Sequence, residues 1–223
     1  MRHYTLTLVV LSAIVDRCLS QSACSSYPSA WVPPGFCASS YATGLSGARG
    51  LFLDASLTNG DLLVVARGYN PPAVVAVWGS GDAERATIAQ QSGLNHGVTV
   101  AEMEGGGGYF LYASSSDAVY RWPYTPGQRT DLGTGEMMIT GIDKDSNGNR
   151  QGGHATRTLM LDMQGRLYVS VGSVGNIDGD SYRSRIRRFS GARAAGAVSV
   201  VEFSVGEVFA DGVRNEVFAD GAR

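Results

Sequence analysis

The stretch GGHATRTLMLD, residues 152–162, carries one of only three histidines in the chain. An imidazole takes and releases a proton near neutral pH more readily than any other side chain, so His154 is the first candidate for chemistry. Gly152 and Gly153 ahead of it would let the backbone turn tightly and leave the ring open to a bulky ligand. The residues after it alternate as a half-buried strand does. Taken alone, the same pattern also describes a surface histidine in a flexible turn.

Other stretches are less specific. His96 stands in LNHG, residues 94–97, and reads as a structural histidine where a strand begins. DKDSNGN, residues 143–149, alternates Asp143, Asp145 and Asn147 ahead of Gly148 like the opening of a calcium loop. A loop of that kind needs Glu at its twelfth position, which here is His154, so the full motif fails. It reads as a polar loop, with weak calcium binding left open. GGGG at 105–108 lacks the Lys-Ser/Thr of a phosphate loop and reads as a flexible turn. Gly-x-Ser-x-Gly and His-Glu-x-x-His are both absent, which removes the common hydrolase and metalloprotease readings. RSRIRRF, residues 183–189, reads as a solvated strand with Arg183, Arg185 and Arg187 on one face and Ile186 and Arg188 on the other. A contact for a sulfated glycan is the alternative use of that charge.

The elements that must position these residues are strands. Thirty glycines against seven prolines, with many short runs of Val, Leu, Tyr and Phe, predict an all-β chain with frequent turns. Net charge is −2 and the one basic cluster is local, which argues against a nucleic-acid surface and for a small, weakly charged partner. Arginine supplies all but one of the 18 basic residues, Lys144 being the exception, and composition alone attaches no function to that.

Residues 1–23 have the layout of a secretory signal peptide, with Arg2 ahead of an apolar run from Tyr4 to Val15. The run is well short of the ~20 residues that span a bilayer, so secretion is expected and a membrane span is not. Cleavage between Ser20 and Ala23 would leave Cys24 and Cys37 as an even pair, expected to bond to each other in an oxidising compartment, two free thiols being the alternative. Residues 24–47 form a Cys/Pro-rich N-terminal segment and 48–223 the main domain.

Three stretches of that domain share a strand, turn, strand rhythm: from Ala48, from His96 and from Thr156. A unit of a few short strands recurring every 45 to 60 residues is the signature of a β-propeller blade, each blade burying its face on the next. A β-sandwich of hairpins is the alternative. The length allows about three to four blades. EVFADG occurs twice near the end, at 207–212 and 216–221, too short a repeat for a blade.

Four motifs taken in order, GLNHGV at 93–98, GGHATRTLMLD at 152–162, GSVGNIDGDSYRSRIRRF at 172–189 and EVFADGVRN at 207–215, resemble the soluble quinoprotein glucose and sorbosone dehydrogenases, pyranose dehydrogenases included. The resemblance covers roughly Ala48 to Asn215. It implies a six-bladed β-propeller that holds pyrroloquinoline quinone over its axis with calcium against the quinone, and that oxidises a sugar hydroxyl and passes electrons to an external acceptor. It makes His154 the general base and makes Arg214 and Asn215 cofactor contacts; the metal ligands stay unknown. Because the family's later blades supply the rest of the site, the resemblance implies that this chain by itself does not turn over. The alternative is a non-catalytic secreted propeller fragment that binds glycan or protein, or self-associates, through open blade edges.

Overall fold

The structure is a computed structural model that describes residues 31–54, 60–79, 83–180 and 182–214. The signal segment, Cys24, Asn215 and the second EVFADG copy lie outside the described residues. The chain divides into two units, one of Met1–Thr43 with Ser80–Ala83 and one of Gly44–Gly79 with Glu84–Arg223. In the first, Phe36 N–H donates to Pro33 O and Ala83 N–H to Tyr41 O, and Cys37 is disulfide-bonded.

The second unit is built from strands, with a single 3-10 turn at Phe203–Val205 and no α-helix among the described residues. Strands β1 (Ala48–Asp54), β2 (Asp61–Ala66), β3 (Ala73–Trp78) and β4 (Glu84–Gln90) form one antiparallel meander. β5 (Leu94–Glu102), β6 (Tyr109–Ser115), β7 (Val119–Tyr124) and β8 (Glu136–Thr140) form a second. β9 (Leu159–Leu161), β10 (Leu167–Val171), β11 (Arg185–Phe189) and β13 (Glu207–Asp211) form the third. Between them, β12 (Val201–Glu202) pairs in parallel with β8. The all-β expectation therefore holds, and the strand, turn, strand stretches read from Ala48 and from Thr156 are the antiparallel pairs β1–β2 and β9–β10.

The period of two explains why the middle sheet is buried on both sides. Leu111 and Ala113 of β6, with Tyr120, Trp122 and Tyr124 of β7, pack with Leu63, Val65, Val74, Ala76 and Ile88 of the first sheet. Their neighbours Phe110, Tyr112 and Val119 face the other way, onto Leu167, Val169, Val171 and Phe189 of the third. Polar ties cross the same boundaries. Arg129 donates twice to Asp61, at 3.0 Å each, with its guanidinium over Trp78, and Tyr124 Oη donates to Asp54. That carboxylate and burial hold the Tyr124 hydroxyl well above the usual phenol range, burial being the larger cause.

The first strands of the three sheets lie against one another, β1 on β5 and β5 on β9. Their backbones approach closely at Gly50, where an added Cβ would fall 1.6 Å from His96 O. Loops at the β9 end of this contact carry the candidate site.

The basic cluster corrects the sequence reading. Arg183 and Arg187 are buried, at 1% and 9% exposure, and Arg183 precedes β11 instead of lying in it. Ser184, with φ of 55°, turns the chain between them and breaks the alternation. The buried guanidiniums serve backbone: Arg187 donates to Ser204 O and Gly206 O, and Arg121 to Ala192 O, Ala194 O and Gly196 O. Long irregular connections bring buried carbonyls that need donors, and a guanidinium offers five in one plane.

Candidate active site

His154 lies half-buried in the loop 141–158, five residues before Leu159, where β9 begins. Its backbone N–H donates to Ser173 O at 3.2 Å, and its ring Nδ1 lies 2.6 Å from the same oxygen. A carbonyl only accepts, so Nδ1 carries a hydrogen, and in the neutral ring Nε2 is then the nitrogen with the lone pair. Ser173 Oγ, 3.3 Å from Nδ1, donates in turn to Gly175 O at 2.6 Å.

Gly152 and Gly153 turn the backbone tightly, as the sequence suggested. Both have positive φ, 68° and 69°, and a Cβ on Gly153 would come within 2.5 Å of the Val174 backbone. The loop therefore packs against 173–176 in a way that only glycine permits.

Arg214 comes to the same place from the end of β13. Its carbonyl accepts from Ser173 N–H at 3.0 Å, and its exposed side chain reaches Asn176 Oδ1. Gly172 sits between: a Cβ there would lie 2.0 Å from Arg214 O and 2.8 Å from His154 Cβ. The structure thus brings the Arg214 carbonyl and His154 together at Gly172, just past the end of β10, and Asn215 lies outside the described residues.

Beneath His154 are groups to which the sequence reading gave other roles, Arg183 and Asp143, and one that it missed, Arg157. Arg157 and Arg183, both with fully buried side chains, meet at Asp143 Oδ1, at 3.2 and 3.0 Å. Asp143 is itself buried, which corrects the reading of 143–149 as simply a polar loop and places its carboxylate in ion pairs. Asp145 Oδ1 caps Asn147 and Asn149 N–H, and Asp180 holds Ser146. Among the described residues no group of three His, Cys, Asp or Glu is placed to hold a metal. Burial pulls the Arg157 guanidinium down to about 10, and Arg183 adds to this while Asp143 opposes it.

Asn95 was also missed. The β5 register slips between Leu94 and Val98, and in that bulge Asn95 Nδ2 donates to Ala155 O at 2.9 Å. Gly97 N–H donates to Ser114 Oγ, which donates to Arg157 O. LNHG is therefore a seat for the histidine loop, consistent with a structural His96, whose imidazole burial and Arg49 hold below the ordinary value.

The family model described as TrAA12-like matches residues 30–220. The chain belongs to that family. Among solved structures, this TrAA12-like chain is similar to the calcium structure of Trichoderma reesei Carbohydrate-Active Enzymes Family AA12, at 27% identity and TM-score 0.58, over 78% of this chain and 42% of that one. It is likewise similar to the holo form of the pyranose dehydrogenase PQQ domain from Coprinopsis cinerea, at 28% identity and TM-score 0.57, over 77% and 40%. The chain thus spans about two fifths of the length of these structures. No curated protein matches. The resemblance to quinoprotein sugar dehydrogenases read from the motifs is borne out.

The packing at Gly172 makes a direct prediction for the TrAA12-like site. Gly172→Ala should push the His154 loop and the Arg214 carbonyl apart, at a cost of about 1–3 kcal/mol in denaturant unfolding. Its amide spectrum should change around 152–154 and 213–214. An unshifted spectrum would mean that the approach is looser than the structure has it.

Proposed function

We propose that this chain supplies the base-bearing part of a sugar dehydrogenase site for pyrroloquinoline quinone, within a propeller of which the three sheets are successive blades. The observation that carries the reading is the His154 ring, with Nδ1–H held by Ser173 O and Nε2 left as the acceptor. When bound, the quinone supplies a hydride acceptor. His154 Nε2 takes the hydroxyl proton of the sugar as the carbon's hydride leaves, so that an aldose or sorbosone-like sugar loses two electrons and two hydrogens in all. The electrons then pass to an external acceptor.

The residues fit this cofactor where they are described. Arg214 meets Gly172 beside His154 through its carbonyl and carries an exposed guanidinium that reaches Asn176, a group whose chemistry suits forked contact with a carboxylate. Asn215 follows it in the chain and is proposed as its companion. For calcium the described residues offer no acidic set, and Asp143 is already engaged by two arginines, so no step here is derived through a metal.

Secretion is part of the proposal, with residues 1–23 as the leader and Cys24 as the partner of disulfide-bonded Cys37. Among the described residues no helix is long and apolar enough to cross a membrane.

The test is titration of the protein, expressed from its complete transcript, with the quinone in the presence of calcium, followed by dye reduction with a panel of aldoses. Saturable quinone binding and sugar-dependent dye reduction are expected. Absence of binding would overturn the reading and leave a propeller that recognises glycan or protein without chemistry.

A further inference from the structure

Two backbone segments set the geometry of the His154 ring: 152–154, which carries the donor, and 172–173, which carries the acceptor. Both are gripped by one buried side chain. Arg183 Nε donates to Gly172 O at 3.2 Å, and Nη2 donates to Gly152 O at 2.8 Å and to His154 O at 3.4 Å. Its remaining arm, Nη1, is fixed by Asp143. From the other side Arg157 Nη1 donates to His154 O at 2.6 Å and Thr156 O at 3.0 Å, and its Nε to Ser116 O in the turn between β6 and β7. Asp143 Oδ1 joins the two guanidiniums.

We infer that Arg183, braced by Asp143 and Arg157, is a positioning residue that fixes the spacing of the His154 loop from Ser173 and so holds the ring as its Nδ1–H tautomer. The inference rests on the proposed role of His154 as base. The physical reason is that 141–158 contains no helix or strand, only an isolated bridge of Lys144 with Arg150 and a few turns, and cannot by itself fix a ring to the roughly 0.5 Å that proton transfer demands. A planar fork that bonds both segments at once removes their relative freedom. An ammonium at the same place is a single point of contact and cannot bridge them in the same way.

The measurement is long-range proton–nitrogen NMR of the histidine rings in the full chain without quinone. In the wild type His154 should be the Nδ1–H tautomer. In Arg183→Lys the ratio of Nδ1–H to Nε2–H should fall by about tenfold, the worth of one ordinary hydrogen bond. Arg187→Lys is the control: it removes another buried guanidinium, in the following strand β11, one that holds Ser204 O and Gly206 O instead, and should leave the His154 ring unchanged.

A wild-type ring in the Nε2–H form would overturn the inference without any variant. So would a folded Arg183→Lys chain with the wild-type ratio, or an equal shift in Arg187→Lys. Because the readout needs no cofactor, loss of quinone binding beside an intact tautomer result would sink the proposed function alone.

Discussion

Asp143→Leu is expected to lower the unfolding free energy by ~3–5 kcal/mol, the cost of leaving buried charge without its partner. For a chain of this size that is a fall of roughly 6–20 °C in melting temperature. The cost is large because two fully buried guanidiniums share one carboxylate, so its removal leaves two cations facing each other. Burial and Arg183 already pull Arg157 down to about 10 with Asp143 present to resist. Asp143→Asn keeps an acceptor and removes only the charge, and should fall between the wild type and the leucine variant. The exposed pair of Lys144 with Glu202, at 3.0 Å, sets the contrast. Lys144→Ala should cost no more than about 1 kcal/mol, because solvent screens such a pair. Thermal unfolding of the three variants side by side checks the ordering. Equal losses for Asp143→Leu and Lys144→Ala would mean that the buried cluster is not closed to water.

The same cluster shows where the sequence could be read and where it could not. Strands such as β2, DLLVVA, and β10, LYVSV, announce themselves because apolar and β-branched residues dominate them and turns bracket them. The role of His154 came from the resemblance, because the pattern alone also describes a surface histidine, whereas the turn at Gly152 and Gly153 was legible for a local reason as well, since paired glycines ahead of a strand are a backbone signature. The arginine support was not, because a cation is expected at the surface and the four basic residues of 183–188 look like a solvated stripe. A signal did exist. Arg157 is in phase with Leu159 and Leu161, and Arg121 with Val119, so each sits on the parity that faces the core. An arginine on the apolar parity beside a long connection marks a donor for that connection's carbonyls. Asp143 belongs to the same logic, since a buried cation asks for a buried acid, and 143–149 supplies the carboxylate that the calcium-loop pattern had drawn attention to for another reason.

His154→Ala should lower the sugar-dependent rate by ~10²–10⁴-fold, the usual contribution of a positioned general base, with little change in quinone affinity. Arg214→Ala should do the reverse. Loss of a charge-assisted hydrogen bond to a cofactor carboxylate weakens binding by ~1.5–3 kcal/mol and reaches the rate mainly through occupancy. The expectation of a clean division follows from the geometry. The His154 ring spends Nδ1–H on Ser173 O, so in its neutral form what it has to offer a ligand is a lone pair, which moves protons and adds little to holding an anion. Arg214 is exposed at the same strand end and has only donors to offer. The check is a split measurement, quinone titration for affinity and dye reduction at saturating quinone for rate, in the protein from the complete transcript. If His154→Ala weakened quinone binding and left the saturated rate intact, the imidazole would be a cofactor contact and the base would have to be sought elsewhere. If both variants cut the rate alone, Arg214 would be acting on the reacting atoms, and the two residues would share one task instead of dividing it.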